Sequence, residues 1–290
     1  MVAQSSKAGE ATASTISRQA IDHALTSSLG DVMQLLPGVS LSNPSLSSAQ
    51  SLNLRTASGS DMNSLGTAII IDGSPVSNNA NMEGISSAMN GTSTTIAGTS
   101  TFNAGSVPNS GVDVRSISTD NIESIEVIRG IPSVQYGDLT SGAVIINSKA
   151  GAEPLTVRLK TDPKIYQASL SKGFRISPQA GSLHLSSDYA YSNSKTTENY
   201  ANYQRVNFKA VYSNTFNRLS STSSIDLRFG KDTRNPNPDD LRSRLASGGK
   251  SYGYRISTNG TWSANVGWLK SIRYDLSNSF TLKDSFKEQI

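Results

Sequence analysis

The sequence predicts a small α+β domain followed by the antiparallel β-strands of an incomplete transmembrane β-barrel. Three observations carry that fold class. The first half mixes short helical and strand patterns, and the second half alternates apolar and polar residues with a period of two. The links between the alternating segments are short and long in turn, as periplasmic turns and extracellular loops would be.

In the first half, Ser28 opens a segment in which Leu29, Val32, Met33 and Leu36 fall at helical spacing, and Pro37-Gly38 closes it. Asp31 takes the acidic place of a capping box. Ser51 to Arg55 alternates like a strand. Ala68 to Ile71 is a compact apolar strand closed by the turn dipeptide Asp72-Gly73. Ile122, Ile125, Val127 and Ile128 form another apolar patch, and Ala143 to Ile146 a further buried strand. Between them, Ser77 to Val112 is rich in Asn, Ser, Gly and Thr with one aromatic, Phe102. It reads either as a flexible surface loop or as a substrate-facing loop that includes Asn78, Asn79, Asn81 and Phe102.

The second half repeats one pattern. Tyr166, Ala168, Leu170, Phe174 and Ile176 face away from Gln167, Ser169, Ser171 and Arg175. Leu183, Leu185, Tyr189 and Tyr191 oppose His184, Ser186 and Asp188, and Val206, Phe208, Ala210, Tyr212 and Phe216 continue the rule. So do Ile225, Leu227 and Phe229, then Tyr252, Tyr254, Ile256, Trp262 and Ala264, then Val266 to Leu282. Alternate side chains of a strand point to opposite faces, so every segment has one apolar and one polar face. A soluble sandwich would turn the apolar face inward, a membrane barrel outward. Strand length near the roughly 9–11 residues of a tilted span, Tyr and Trp gathered at strand ends, and alternating loop lengths favour the barrel. The long links are expected after Tyr191 and over 230–250, the tight ones after Ile176, Phe216 and Ala264. About seven strands fit before residue 290, fewer than a closed barrel needs, so an incomplete barrel is expected.

Composition excludes several alternatives. Without cysteine there is no zinc-thiolate site, iron–sulfur cluster, disulfide or thiol nucleophile. His23 and His184 lie too far apart in sequence to suggest a His-rich metal site, so no metal or cofactor is expected. The formal net charge of +4 is spread singly along the chain, which argues against nucleic acid. A hydrophobic fraction of 36% is low for an α/β enzyme but suits strands with one polar face. Met1 to Thr15 carries no basic-then-apolar leader, and no apolar run is long enough for a membrane helix.

The run Asn121-Ile-Glu-Ser-Ile-Glu-Val-Ile-Arg-Gly130, continued by Ile131 to Gly137 and by Ser141 to Asn147, strongly resembles the plug of TonB-dependent outer-membrane receptors. Ser148-Lys149-Ala150-Gly151 closes it in the family's manner. Leu29 to Val39 is similar to the family's helix ending in Pro-Gly-Val, and Ile69 to Val76 to its strand and Asp-Gly turn. The resemblance implies an α+β plug domain over 1–151 and the N-terminal part of a transmembrane barrel over 152–290. The polar insert and the Leu155–Phe174 segment look most like receptors of the Bacteroidetes.

The resemblance further implies a plug seated in a barrel of about 22 strands, in the outer membrane, with its N-terminus facing the periplasm. Substrate would bind from outside, and TonB, driven by the inner-membrane proton gradient, would remodel the plug. Val2, Ala3 and Gln4 look like the tail of a TonB box. Arg55 and Arg129 match plug arginines that pair with carboxylates of the wall, although Thr56 stands where the family has glycine. Asp72, Gly73, Glu123, Glu126, Gly130, Tyr136 and Gly137 are the remaining motif positions. Expected partners are TonB, outer-membrane lipid, and a small or medium ligand that is an iron chelate, vitamin, glycan or peptide. A surface lipoprotein would join them if the cargo were a glycan or peptide.

Taken as residues alone, several of these positions have plainer readings. Arg55 and Arg129 also fit ordinary ion pairs within the first domain. Glu123 and Glu126 lack the nucleophile or histidine that acid–base chemistry would need, so no catalytic residue and no enzyme is expected. Asp72-Gly73 is most simply a turn, and His23 a surface residue. Asp232 to Asp240 is rich in side-chain oxygens, but its spacing fits no calcium loop.

Overall fold

The computed structural model of the chain describes residues 2–5, 13–36, 46, 52, 54, 67–76, 95–96, 99–100, 112–129, 142–177, 179–193, 196–197, 199–237, 239, 245–267 and 269–289. The first half forms a mixed sheet of strands β1 (Val2–Ser5), β2 (Ala13–Ser17), β3 (Thr67–Ile71) and β4 (Ser74–Pro75), then, past the short pair β5 (Thr95–Ile96) and β6 (Thr99–Ser100), β7 (Ile122–Arg129) and β8 (Gly142–Ser148). The spatial order is β1-β2-β7-β8-β3-β4. All neighbours are antiparallel except β3 and β8, which run parallel from Thr67 beside Gly142 to Ile71 beside Ile146. Both of these strands are apolar runs, Thr67 to Ile71 and Gly142 to Ile146, as a strand covered on both faces requires.

Helices α1 (Arg18–His23) and α2 (Leu29–Met33) and a 3₁₀ turn (Val114–Ser116) cover one face of this sheet. Leu29, Val32, Met33 and Leu36 are all buried, as their spacing predicts, against Ile16, Ile21, Ile69, Ile125, Val127, Val144 and Ile146. Asp31 fills its capping role: its carboxylate accepts the N–H groups of Ser27 and Ser28 at 3.0 Å. Of the segment 51–55, only Leu52 and Leu54 are among the described residues. They lie outside any strand and pack against the core. At Leu52 and Leu54, alternation did not make a strand.

The second half is a seven-stranded antiparallel meander: β9 (Thr156–Thr161), β10 (Ile165–Ser177), β11 (Gly181–Asn193), β12 (Ala201–Phe216), β13 (Leu219–Arg234), β14 (Leu245–Val266) and β15 (Leu269–Gln289). Each strand pairs with its sequence neighbour, and β9 and β15 are the two edges. The burial is inverted relative to a soluble domain. Tyr166, Leu170, Phe174, Val206, Phe208, Ile225, Phe229, Tyr252 and Ile256 are exposed, while Gln167, His184, Asp188, Arg205, Asn207, Lys209 and Arg255 are buried. The apolar face of this wall turns away from the N-terminal sheet and the polar face turns toward it.

Tight turns at 178–180, 217–218 and 267–268 close one end of the wall, and the links 194–200 and 235–244 lie at the other. One expectation needs correction. The link after Phe229 is not 230–250: β13 and β14 stay paired to Arg234 and Ser247, so the link is 235–244. Long paired strands keep satisfying one another's backbone groups, and polar residues at their ends do not by themselves mark where a strand stops.

Candidate functional site

The two sheets meet through charge. The hydrophobic cluster of the first half contains no wall residue, and one small apolar contact, Leu46 against Ile165, Ala190 and Tyr203, joins the halves. Apart from a guanidinium over the Tyr203 ring, the other contacts between the described residues of the two halves are hydrogen bonds and ion pairs, gathered at three places.

The first is the β3–β4 turn. Asp72 and Gly73 both have positive φ, +52° and +82°, the geometry of a two-residue type I′ hairpin, in which Asp is tolerated and Gly is at ease. That turn aims the Asp72 carboxylate at the wall. Lys209 Nζ on β12 lies 2.9 Å from Asp72 Oδ2, and Arg255 Nη2 on β14 lies 3.3 Å from the same oxygen. Ser148 at the end of β8 donates its N–H and its hydroxyl to Asp72, both at 2.8 Å, and Lys209 also reaches Ser148 Oγ. Arg255 donates to the Ile71 carbonyl at 2.6 Å, and the Asn259 amide to the Asp72 carbonyl. Burial alone would raise the Asp72 carboxyl, but the Lys209 ammonium, the Ser148 N–H and the Arg255 guanidinium outweigh it and hold it below the ordinary carboxylate range.

Gly73 brings the turn against β15, where Ser74 Oγ donates to Asp275 Oδ1 at 2.9 Å. A Cβ on Gly73 would stand 2.6 Å from Asp275 Oδ2 and would hold a left-handed backbone that L-residues resist. Gly73→Ala should therefore destabilise the seated sheet by about 1–2 kcal/mol. A shift of the urea midpoint for its release checks this, and an unchanged midpoint would count against the close approach.

The second place is Arg115 in the 3₁₀ turn, 1% exposed. Its guanidinium makes paired bonds to Asp113, 3.1 Å from Nε to Oδ1 and 2.8 Å from Nη2 to Oδ2. It reaches Asp232 Oδ2 on β13 at 3.0 Å and the Leu46 carbonyl at 3.1 Å, and lies 4.2 Å from the centre of the Tyr203 ring. Five donors in a flat fork allow this, and a lysine could not repeat it. Burial pushes the Asp113 carboxyl up, but Arg115 overrides it and holds it low.

The third place lies along α1 and the first wall strands. Arg158 of β9 donates to Asp120 at 2.9 Å and pairs with Asp22, and Gln167 donates to Asp120 at 2.8 Å. Asp22, hydrogen-bonded first by Arg18 and then by Arg158, is held below its ordinary value. Arg205 pairs with Asp188 through Nη2 at 3.0 Å and Nε at 3.1 Å, both residues from the wall, and donates from Nη2 to the Ser27 carbonyl and from Nη1 to the Arg115 carbonyl. Between this group and the Asp72 turn lies a cavity of about 30 Å³, lined by Ser116, Ser118, Asn121, Asn207, Asp226 and Arg228 among others.

The positions singled out from sequence fall variously. Asp72 and Gly73 form the turn and the fastening. Glu123 is exposed and Glu126 half-buried on β7, three apart in sequence. Arg129 ends β7, half-buried and opposite Gly142 in the ladder. Val2, Ala3 and Gln4 lie in the edge strand β1, with Val2 opposite Ile16. Arg55, Asn78, Asn79, Asn81, Phe102, Gly130, Tyr136 and Gly137 lie outside the described residues. His23 is an exposed residue of α1, and His184 is buried on the inner face with Nε2 3.6 Å from Glu153. Within 232–240, Asp232 serves the Arg115 pair. Among the described residues no cluster has the makings of a metal site, and no helix is long and apolar enough to cross a membrane, which says nothing of strands.

Residues 6–144 match a family model described as the TonB-dependent Receptor Plug Domain. No curated protein matches the chain. Among solved structures, the fold is similar to the alcaligin outer-membrane receptor FauA of Bordetella pertussis at 14% identity and a TM-score of 0.55, over 96% of this chain and 40% of that one. It is similar to the siderophore receptor PirA of Pseudomonas aeruginosa at 15% identity and 0.54, over 94% and 41%. It is also similar to P. aeruginosa FpvA bound to heterologous pyoverdines at 13% identity and 0.58, over 93% and 34%. The chain thus spans well under half the length of these structures.

Proposed function

We propose that the chain, whose residues 6–144 match the TonB-dependent Receptor Plug Domain model and whose fold is similar to outer-membrane receptors, is the gate and part of the wall of a receptor that imports a scarce nutrient when TonB remodels the plug. The observation that supports this most is the kind of join between plug and wall. A join made mostly of hydrogen bonds and ion pairs can exchange its partners for water, whereas burying an apolar face would commit the plug permanently. The plug keeps its own apolar core, so it can shift against the wall without unfolding first. The pull would enter at Val2–Ser5, an edge strand joined to the sheet on one side through β2.

An iron chelate is the first ligand to test, since the similar structures are named for siderophores and their receptors. Vitamins, glycans and peptides follow it, with a surface lipoprotein as partner for the last two. The full-length protein expressed in cells should take up a radioiron-labelled ferric siderophore from a panel, and collapsing the proton gradient should abolish uptake. Uptake indifferent to the gradient would sink the gated reading and favour a passive barrel with a structural stopper.

A further inference from the structure

The chain crosses from the first sheet to the wall between Ser148, the end of β8, and Thr156, the start of β9. It does not cross freely. Residues 151–153 lie against the inner face of β10 at Gly173, whose N–H donates to the Glu153 carbonyl at 3.1 Å. A Cβ on Gly173 would stand 2.2 Å from the Gly151 oxygen, 2.4 Å from the Glu153 nitrogen and 2.9 Å from the Ala152 Cα. All three are backbone atoms with no rotamer to turn aside, so only glycine lets the crossing lie this close. His184, buried and opposite Gly173 in the ladder, flanks the same crossing, with Nε2 3.6 Å from Glu153 Oε2.

This contact shortens the tether between plug and wall. Three residue steps separate Ser148 from Gly151, against eight from Ser148 to Thr156, so pinning Gly151 cuts the reach of the β8 end from about 28 Å to about 10 Å. Gly151 has the freedom of a swivel: its φ is +96°, and an added Cβ would meet nothing within 4 Å.

A body held at one point moves most where it is farthest from that point. The ladder row through Gly173 runs on through His184, Val211, Ser224, Ser257 and Ser277. Asp275, which accepts from Ser74, lies two residues from the end of that row. Five strand spacings of roughly 4.8 Å put this corner about 24 Å from Gly173 along the wall. The corner is a side-chain hydrogen bond that water can replace, whereas the crossing is backbone packed on backbone.

We propose that the crossing at Gly173 is a fixed pivot: it stays closed while TonB remodels the plug, and the plug swings about Gly151 to open at the Ser74–Asp275 corner. This rests on the TonB-driven reading above.

The chain has no cysteine, so single thiols can report on each place. Ser74 at the far corner and Ser171, two residues from Gly173 on the inner face of β10, are both buried. The full-length receptor carrying S74C or S171C is produced in cells supplied with the ferric siderophore panel and treated with N-ethylmaleimide, with the proton gradient intact or collapsed. The gradient should raise labelling of S74C at least about tenfold and that of S171C less than about twofold. G173A, whose methyl group forces the crossing away, should raise S171C labelling to the S74C level, while S74C in the same background still responds to the gradient and so reports a folded variant. Labelling of S171C that rises with S74C in the parent, or rises alone, overturns the pivot, as does unchanged S171C labelling in folded G173A. If neither thiol responds to the gradient, the TonB-driven reading beneath it fails instead.

Discussion

Asp72→Asn is expected to loosen the plug by about 3–5 kcal/mol, the cost of leaving buried cations without their anion. Lys209 and Arg255 are buried, and both converge on Asp72 Oδ2. The neutral amide keeps the size of the side chain but not the charge, and one of its ends now donates towards groups that also donate. Protease cleavage of the plug in the full-length receptor, held in vesicles, reads the released population. It should rise at least roughly a hundredfold, since 1.4 kcal/mol is about tenfold. A rate within about twofold of wild type would remove Asp72 from the join. The pH dependence has a definite sign. The Asp72 carboxyl is held below its ordinary value of 3.8, so its contribution is complete above that pH and is lost as the pH falls further, towards the lowered value. Wild-type release should therefore be insensitive to Asp72 titration from neutral pH down to about that point.

Arg115→Ala is expected to cost a similar amount, about 3–5 kcal/mol, for the opposite reason. It removes the guanidinium from the carboxylates of Asp113 and Asp232, together with the donor to the Leu46 carbonyl and the cation over the Tyr203 ring. The variant should also reverse the pH response. With Arg115 gone, burial, the largest influence on Asp113, is opposed only by Lys283 and the backbone N–H of residue 115, and it is expected to raise the carboxyl above the unfolded value. Protonation then favours the seated plug, so mild acid should partly rescue Arg115→Ala while giving wild type no gain. Urea midpoints for plug release at neutral and mildly acid pH measure both effects. Equal midpoints for variant and wild type at neutral pH would defeat the assignment. Arg115→Lys should fall between the two, because an ammonium can serve one carboxylate but not span Asp113, Asp232 and a carbonyl together.

Much of the architecture is legible in the order of the residues. The period of two along 166–282 is a property of the extended backbone itself, so Tyr166, Phe208 and Ile256 fall on one face and Gln167, Asn207 and Arg255 on the other. Helical spacing places Leu29, Val32, Met33 and Leu36 in the core for the same local reason, and Asp72-Gly73 is recognisable as a turn. Where local pattern competes with context it misleads. Ser51 to Arg55 alternates without becoming a strand at Leu52 or Leu54, and the polar residues 230–234 and 245–250 look like a loop although they are paired strand.

The fastening of plug to wall needed the folded molecule. Arg115 carries no sequence signal beyond being one arginine among many. Lys209 and Arg255 can be assigned to the inner face by alternation, but nothing local can name their partner, since Asp72 lies 137 and 183 residues away. Strand and helix periodicities act over a few residues and report which face a side chain occupies. Pairing across an interface depends on how one sheet docks against another, which is set by the summed shape and charge of both. The sequence by itself therefore determined a plug-like α+β domain, a wall with one apolar and one polar face, and an Asp-Gly turn. Only the tertiary structure decided that this turn, with Arg115, holds the two together.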